Sequence, residues 1–274
     1  MVDLEDVLAR RDEADAVADL RVVPLRHALD GQAEGLGLGL DVVDVILDGH
    51  PMPGHVEDCG RQVLDGAVRR LDVEPDVIEL DVTDADQLAA LPSVLNDLGV
   101  DKLDGVVHAI AFANPERALG GAFLSTEWDD VDVALHTSTY SYVALARALA
   151  PMLTQDASVV GLTFDATVSW PFYDWMGVAK AGLESANRYL ARYLGKDGIR
   201  CNLVAAGPLD TVAKKAIPGA SQFNDVWSER APLGWDPKDS TAVARAIVSL
   251  LSDWFPATTG EMIHVDGGLH STGA

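Results

Sequence analysis

Cysteine, lysine and aromatic residues are scarce in this chain, and each scarcity excludes something. Two cysteines in 274 residues, Cys59 and Cys201, cannot build a disulfide framework and sit at no metal-ligand spacing, which points to a reducing cytoplasm. No apolar run approaches the roughly 18 residues that span a bilayer. The acidic opening MVDLEDVLARRDEAD is unlike a secretory signal, which is basic and then apolar. Positive charge is also short: 20 Lys and Arg against 43 Asp and Glu leave a net charge of −23. That balance argues against nucleic acid as a partner, since phosphate backbones need a basic footprint, and against an acidic membrane surface. It reads as a solvated surface that keeps the chain soluble. At this length and 48% hydrophobic, one large α/β core is ordinary.

The scarcities concentrate at the N-terminus. Residues 1–82 contain no Ser, Thr, Asn or Lys, and the first aromatic residue is Phe112. Up to Arg70, every residue except Met1, Ile46, Met52 and Cys59 can be written with a codon beginning in G or C. Two readings of residues 1–75 stand side by side. One is a GC-rich gene read out of frame or from its other strand, so that residues 1 to about 70 are not those this fold evolved with. The other is a true but biased acidic segment.

From residue 76 the pattern changes. DVIELDV (76–82), GVVHAIAF (105–112), ASVVGLTF (157–164), IRCNLVAAG (199–207) and EMIHVDGG (261–268) read as strands. Helices are expected over DADQLAALPSVLNDLG, over 127–152 and from 172 to about 195. Strands without polar alternation, separated by helices, imply a parallel sheet covered on both faces: a Rossmann-like, doubly wound α/β fold over residues 76–274. Such folds bind ligands at the carboxyl ends of their strands and open with a strand, a Gly-rich turn and a helix. Here Gly35, Gly37 and Gly39 precede the best strand candidate, DVVDVIL, instead of following one. They read as a loop, and the N-terminal βαβ unit is absent or abnormal.

The segments HAIAF, TSTYSY, GLTFD, YDWMGVAKAGLESANRYLAR, NLVAAGPLDT, APLGWDPKD and LLSDWFPATTGEMIHVDGG carry a resemblance. From Val77 to the C-terminus the chain resembles the NADH-dependent enoyl-acyl-carrier-protein reductases of the short-chain dehydrogenase/reductase superfamily, in particular the mycobacterial type that serves long-chain and mycolic acid synthesis. The N-terminal quarter shows no such likeness. In the common ketone reductases of the superfamily, the proton-donating Tyr stands four residues before its Lys. Here Met176 holds that position before Lys180, and Tyr173 stands seven before it, on the same helix face because seven residues make nearly two turns. The longer step suits a substrate whose hydride acceptor is the β-carbon of a conjugated thioester, its carbonyl oxygen lying further off.

The resemblance implies roles for further residues. Tyr173 is the donor to the thioester oxygen, Lys180 holds the nicotinamide ribose, and Phe164 lies over the nicotinamide and guides the thioester; Met176 is a pocket wall. Asp81 and Val82 correspond to the pair at the adenine ring. Ala109, Ile110 and Ala111 pass under the cofactor, although the family has Ser and Gly at the first and third of these. Gly207, Pro208, Leu209 and Thr211 wrap the nicotinamide amide and pyrophosphate. Asp210 replaces a family Arg and places an anion near phosphates. Lys214 and Lys215 offer a landing point for an acidic acyl-carrier protein, or are two solvated lysines. The thioester substrate is carried by acyl-carrier protein or CoA, and a cytoplasmic homotetramer is implied. His108, His136, His264 and His270 show no metal spacing. Plainer alternatives are a packed helix aromatic for Tyr173 and a surface lysine for Lys180.

Overall fold

A computed structural model describes residues 17–24, 41–46, 76–215 and 217–273. Among these, a seven-stranded sheet comprises β1 (Val17–Pro24), β2 (Asp41–Ile46), β3 (Asp76–Asp81), β4 (Leu103–Ala109), β5 (Leu153–Thr163), β6 (Arg200–Ala206) and β7 (Met262–Val265). Its spatial order is β3-β1-β2-β4-β5-β6-β7. The helices are α1 (Ala85–Asp97), α2 (Trp128–Leu135), α3 (Ser141–Leu149), α4 (Asp174–Leu194), α5 (Val212–Lys215), α6 (Ser221–Arg230) and α7 (Thr241–Leu251). Neighbouring strands from β2 to β7 are parallel, as the uninterrupted apolar runs require. Successive side chains point to opposite faces. Val106, Val159 and Leu203 therefore pack with Leu91, Leu145 and Leu183 of α1, α3 and α4, while Val107, Val160 and Val204 pack with Val243 and Leu250 of α7. The sheet is covered on both sides, in the doubly wound arrangement.

Three details depart from the sequence reading. Strand β1 was not anticipated, and it runs antiparallel to both β2 and β3. Its alternation of Ala18, Leu20 and Val22 with Asp19 and Arg21 is the period-2 signal that could have found it. The helix expected over 127–152 is broken into α2 and α3 by a π turn at His136–Tyr140, and β5 already begins at Leu153. Within this turn the Thr139 hydroxyl donates to the Ala179 carbonyl of α4 (2.6 Å) and the Ser141 hydroxyl to the Thr137 carbonyl (2.6 Å). Side-chain bonds of this kind sustain a locally widened helix, a feature frequent at functional sites. Lastly, α4 begins at Asp174, so Tyr173 is its N-cap residue instead of lying inside the helix. The glycines at 35, 37 and 39, and Cys59, lie outside the described residues.

Candidate active site

The carboxyl end of β5 delivers Phe164, and a turn at Trp170–Tyr173 then starts α4. This turn is held by a neighbouring loop. Gly120 donates to the Phe172 carbonyl (3.0 Å) and Trp175 to the Ala118 carbonyl (3.2 Å). The Asp174 carboxylate accepts from the backbone N–H groups of Gly121 (2.6 Å) and Ala122 (3.1 Å). The restraint has backbone strain to hold: Phe172 has φ 63° and Asp174 φ 36°, a left-handed region that non-glycine residues seldom enter. Tyr173 is thus fixed between two strained neighbours. Asp174→Asn keeps a residue that tolerates this φ but removes the charge from both bonds. It should cost about 1 kcal/mol, read as a thermal midpoint lower by a few degrees; an unchanged midpoint would show that the carboxylate does not hold the turn.

Tyr173, Met176, Ala179 and the partly buried Ala111 and Phe164 share one apolar cluster. The Phe164 and Tyr173 rings meet edge to face at 5.2 Å. The Tyr173 hydroxyl makes no hydrogen bond among the described residues, although the residue is only 7% exposed. Burial, seconded by the Glu184 carboxylate, pushes its ionisation well above the usual phenol range, so it stays a neutral O–H donor. Lys180 is 5% exposed, which removes the surface-lysine alternative. Its ammonium donates to the Leu162 carbonyl on β5 at 2.9 Å, leaving two of its three donors unspent among the described residues. Burial lowers its pKa to about 8, with Glu184 pulling the other way. Glu184 itself accepts from the Ala166 N–H at 2.9 Å.

The structure places the remaining expected residues as follows. Ala109 ends β4 and Ile110 is fully buried beneath the same edge. Gly207 donates to the Val265 carbonyl (2.9 Å), and the Pro208 carbonyl accepts from the Trp235 indole (2.8 Å). A Cβ on Gly207 would stand 2.8 Å from the Trp227 indole nitrogen and 2.7 Å from the Trp235 ring, so glycine is required there. Leu209 packs against the β6–α7 cluster, and the Thr211 hydroxyl accepts from the Lys214 N–H (3.2 Å). Asp81 and Val82 lie apart, at the end of edge strand β3. The Asp81 carboxylate accepts from the N–H and hydroxyl of Thr83 (both 2.7 Å), while Val82 is wholly buried in the core; the cap of α1 is Asp84.

The Asp210 anion is answered within the chain. Its carboxylate accepts from Lys214 at 2.6 Å and from Asn224, and these bonds lower its pKa. Lys214, 11% exposed, is therefore not half of a solvated two-lysine patch; its charge is spent on Asp210, and Lys215 alone is exposed. His108 is a core residue, its Nε2 2.8 Å from the Ser141 hydroxyl. His264 pairs with Asp165 (3.1 Å) and stacks on His270 (3.8 Å), which Asp266 holds in turn (3.0 Å); this chain of contacts ties the end of β5 to β7. The sequence reading missed Trp170, Asp174, Phe223 and Trp227, and the dense Trp-Pro-Phe-Tyr run at 170–173 was the available signal.

The family model described as Enoyl-(Acyl carrier protein) reductase matches residues 56–270, beginning ahead of Val77. The enoyl-(acyl-carrier-protein) reductase (NADH) of Mycolicibacterium smegmatis is 43% identical over 212 residues, covering 73% of this chain and 78% of the relative. That of Mycobacterium avium is 43% identical over 213 residues, covering 73% and 79%. The enoyl-(acyl-carrier-protein) reductase (NADPH) FabI of Staphylococcus aureus is 36% identical over 200 residues, covering 72% and 77%.

Proposed function

The chain belongs to the enoyl-(acyl carrier protein) reductase family, and we propose that it reduces trans-2-enoyl thioesters of acyl-carrier protein or CoA with NADH, in cytoplasmic fatty acid biosynthesis. The observation that carries the reading is Tyr173: a neutral phenol with no hydrogen-bond partner among the described residues, beside Phe164, with Met176 filling the place a ketone reductase gives to its tyrosine. The nicotinamide side of the site fits the cofactor. Lys180 has two donors unspent among the described residues for ribose hydroxyls, and Gly207 lets the backbone after β6 pass close to the Trp227 and Trp235 rings, where a Cβ would clash. Ala109, Ile110, Ala111, Pro208, Leu209 and Thr211 would line the rest, with Asp81 and Val82 toward the adenine.

When bound, the dihydronicotinamide supplies the hydride. As the β-carbon accepts it, negative charge gathers on the thioester oxygen, and the Tyr173 O–H donates a hydrogen bond to that oxygen. One positioned donor of this kind contributes about 3–4 kcal/mol to lowering the barrier. Met176 and Phe164 keep water from the reacting atoms. Turnover of an enoyl thioester but not of a 3-ketoacyl thioester, followed by NADH oxidation, is the test; the opposite preference overturns the reading. A second reading, a catalytically silent member, is favoured by Gly35, Gly37 and Gly39 standing before β2 in the chain instead of after it. An NADH fluorescence change on mixing separates the two.

The Lys180 pKa gives a pH dependence. If its ammonium holds the ribose, NADH affinity is full below about pH 8 and falls as pH rises through that value, because the neutral amine loses its charge and one donor. Fluorescence titrations from pH 6.5 to 9.5 read this, and a flat profile removes Lys180 from the binding site. The homotetramer and the domain division at residue 76 remain parts of the proposal. Trp128 on α2 and Tyr189 and Tyr193 on α4 are exposed, and light scattering measures the assembly.

A further inference from the structure

Burial works against the Lys180 ammonium, and most groups around it give little in return. The Leu162 carbonyl on β5 accepts one hydrogen bond. His108 on β4 is wholly buried and its pKa is pushed down to about 3, so its ring is neutral. Tyr173 is a neutral phenol. The anion that favours the charged lysine is Glu184, one helical turn further along α4 and on the same face. Glu184 is 8% exposed. No contact ion pair joins the two among the described residues. The Lys180 ammonium turns to Leu162, whereas the Glu184 carboxylate accepts from the Ala166 N–H at 2.9 Å, so the attraction acts across a gap. Ala166 stands two residues after Phe164, in the loop that leaves β5 for α4. Glu184 has charged neighbours of its own: Asp165 opposes its ionisation, while Arg188 and His264 favour it. With Thr167, Asn187 and Arg188 it lines a cavity of about 370 Å³, roomy and polar enough for water to reach a carboxylate.

We propose that Glu184 is a positioning residue for the cofactor site, whose carboxylate, ionised where Lys180 titrates, keeps the buried ammonium charged for the ribose and anchors the loop behind Phe164. It acts through Lys180 and Ala166 and touches neither substrate nor cofactor. The inference rests on the enoyl-reductase reading, which gives Lys180 its ribose, and deepens it by naming what holds that lysine in its working state. The sign follows from the charges. Glu184 raises the Lys180 pKa, so removing the anion lowers it, and the affinity that depends on the ammonium is then lost at lower pH.

The test begins with the free protein, its lysines carrying an isotope label at Cε, titrated by NMR from about pH 6 to 10. Loss of one signal in Lys180→Met identifies the residue. Its midpoint should lie near 8 in the wild type. Glu184→Gln keeps an acceptor for the Ala166 N–H and removes only the charge. The Lys180 midpoint should fall by about half a pH unit or more, about threefold in proton affinity. Glu184→Asp, which restores the anion, should recover part of that shift. Glu184→Met, tolerated in a helix, serves where Glu184→Gln does not fold. NADH fluorescence titrations should follow the lysine: affinity of Glu184→Gln about threefold lower at pH 9 and nearly unchanged at pH 6.5. An unmoved Lys180 midpoint overturns the proposal and reduces Glu184 to a clip on the loop. A midpoint that falls while NADH affinity keeps its wild-type pH profile overturns the role at the cofactor site. Absence of enoyl thioester turnover by the wild type counts instead against the enoyl-reductase reading, and the lysine titration stands apart from it.

Discussion

Tyr173→Phe is expected to lower turnover of a trans-2-enoyl thioester about ten- to a thousandfold, the range of one lost oxyanion donor or acid, with NADH affinity nearly constant. The substitution removes a single oxygen. The ring that packs on Phe164 stays, and the hydroxyl has no hydrogen bond to lose among the described residues, so a folding defect is not a competing explanation. Lys180→Met separates the other function. It replaces a buried ammonium bonded to the Leu162 carbonyl with an apolar chain that a helix tolerates, and NADH binding should largely disappear. Chemistry fails in one variant and cofactor binding in the other. A Tyr173→Phe enzyme that works at the wild-type rate would remove the meaning from the seven-residue spacing.

That spacing shows how far sequence alone reaches. The identity of the Tyr, Met and Lys positions was legible because a helix converts spacing into direction, and the structure buries all three along the start of α4. The backbone entering that helix was not legible. Left-handed φ at Phe172 and Asp174 has no glycine to announce it, being imposed by a loop some fifty residues earlier through Asp174, Gly121 and Ala122. Strands β4, β5 and β6 were readable because burial on both faces leaves only apolar residues. The break at His136–Tyr140 was not, since its polar run His-Thr-Ser-Thr-Tyr offers no apolar pattern in which the one-residue shift of a π turn would show. The pairing of Asp210 with Lys214 sat in plain view at a four-residue spacing. Spacing alone leaves the two as separate charges, because it does not say which neighbour each side chain turns to, and here Asn224 from α6 completes the pair.

Replacing residues 1 to about 70 with a strand, a Gly-containing turn and a helix is expected to raise NADH affinity at least about a hundredfold. The sheet gives the reason. Strand β2 is parallel to β4, and its carboxyl end, Ile46, stands beside Ala109, on the edge where folds of this kind bind ligands. A pyrophosphate there needs a tight turn and a helix N-terminus directly after that strand, whereas Gly35, Gly37 and Gly39 come before Asp41 in the chain. The adjacent slot does not help. Strand β1 is antiparallel, and Val17, its amino end, is paired with Asp81, so no strand-to-helix turn emerges from it at the ligand edge. Backbone donors to a charged acceptor contribute about 1.5–3 kcal/mol each. Restoring even two gives about 3 kcal/mol or more, which is two decades in affinity. Titration calorimetry of the chain as written against the replaced chain decides the matter. Micromolar NADH affinity in the former, or no gain in the latter, would place the pyrophosphate site elsewhere. A peptide map of the native protein that reads residues 1–70 as written would then mark the acidic segment as a true part of the fold.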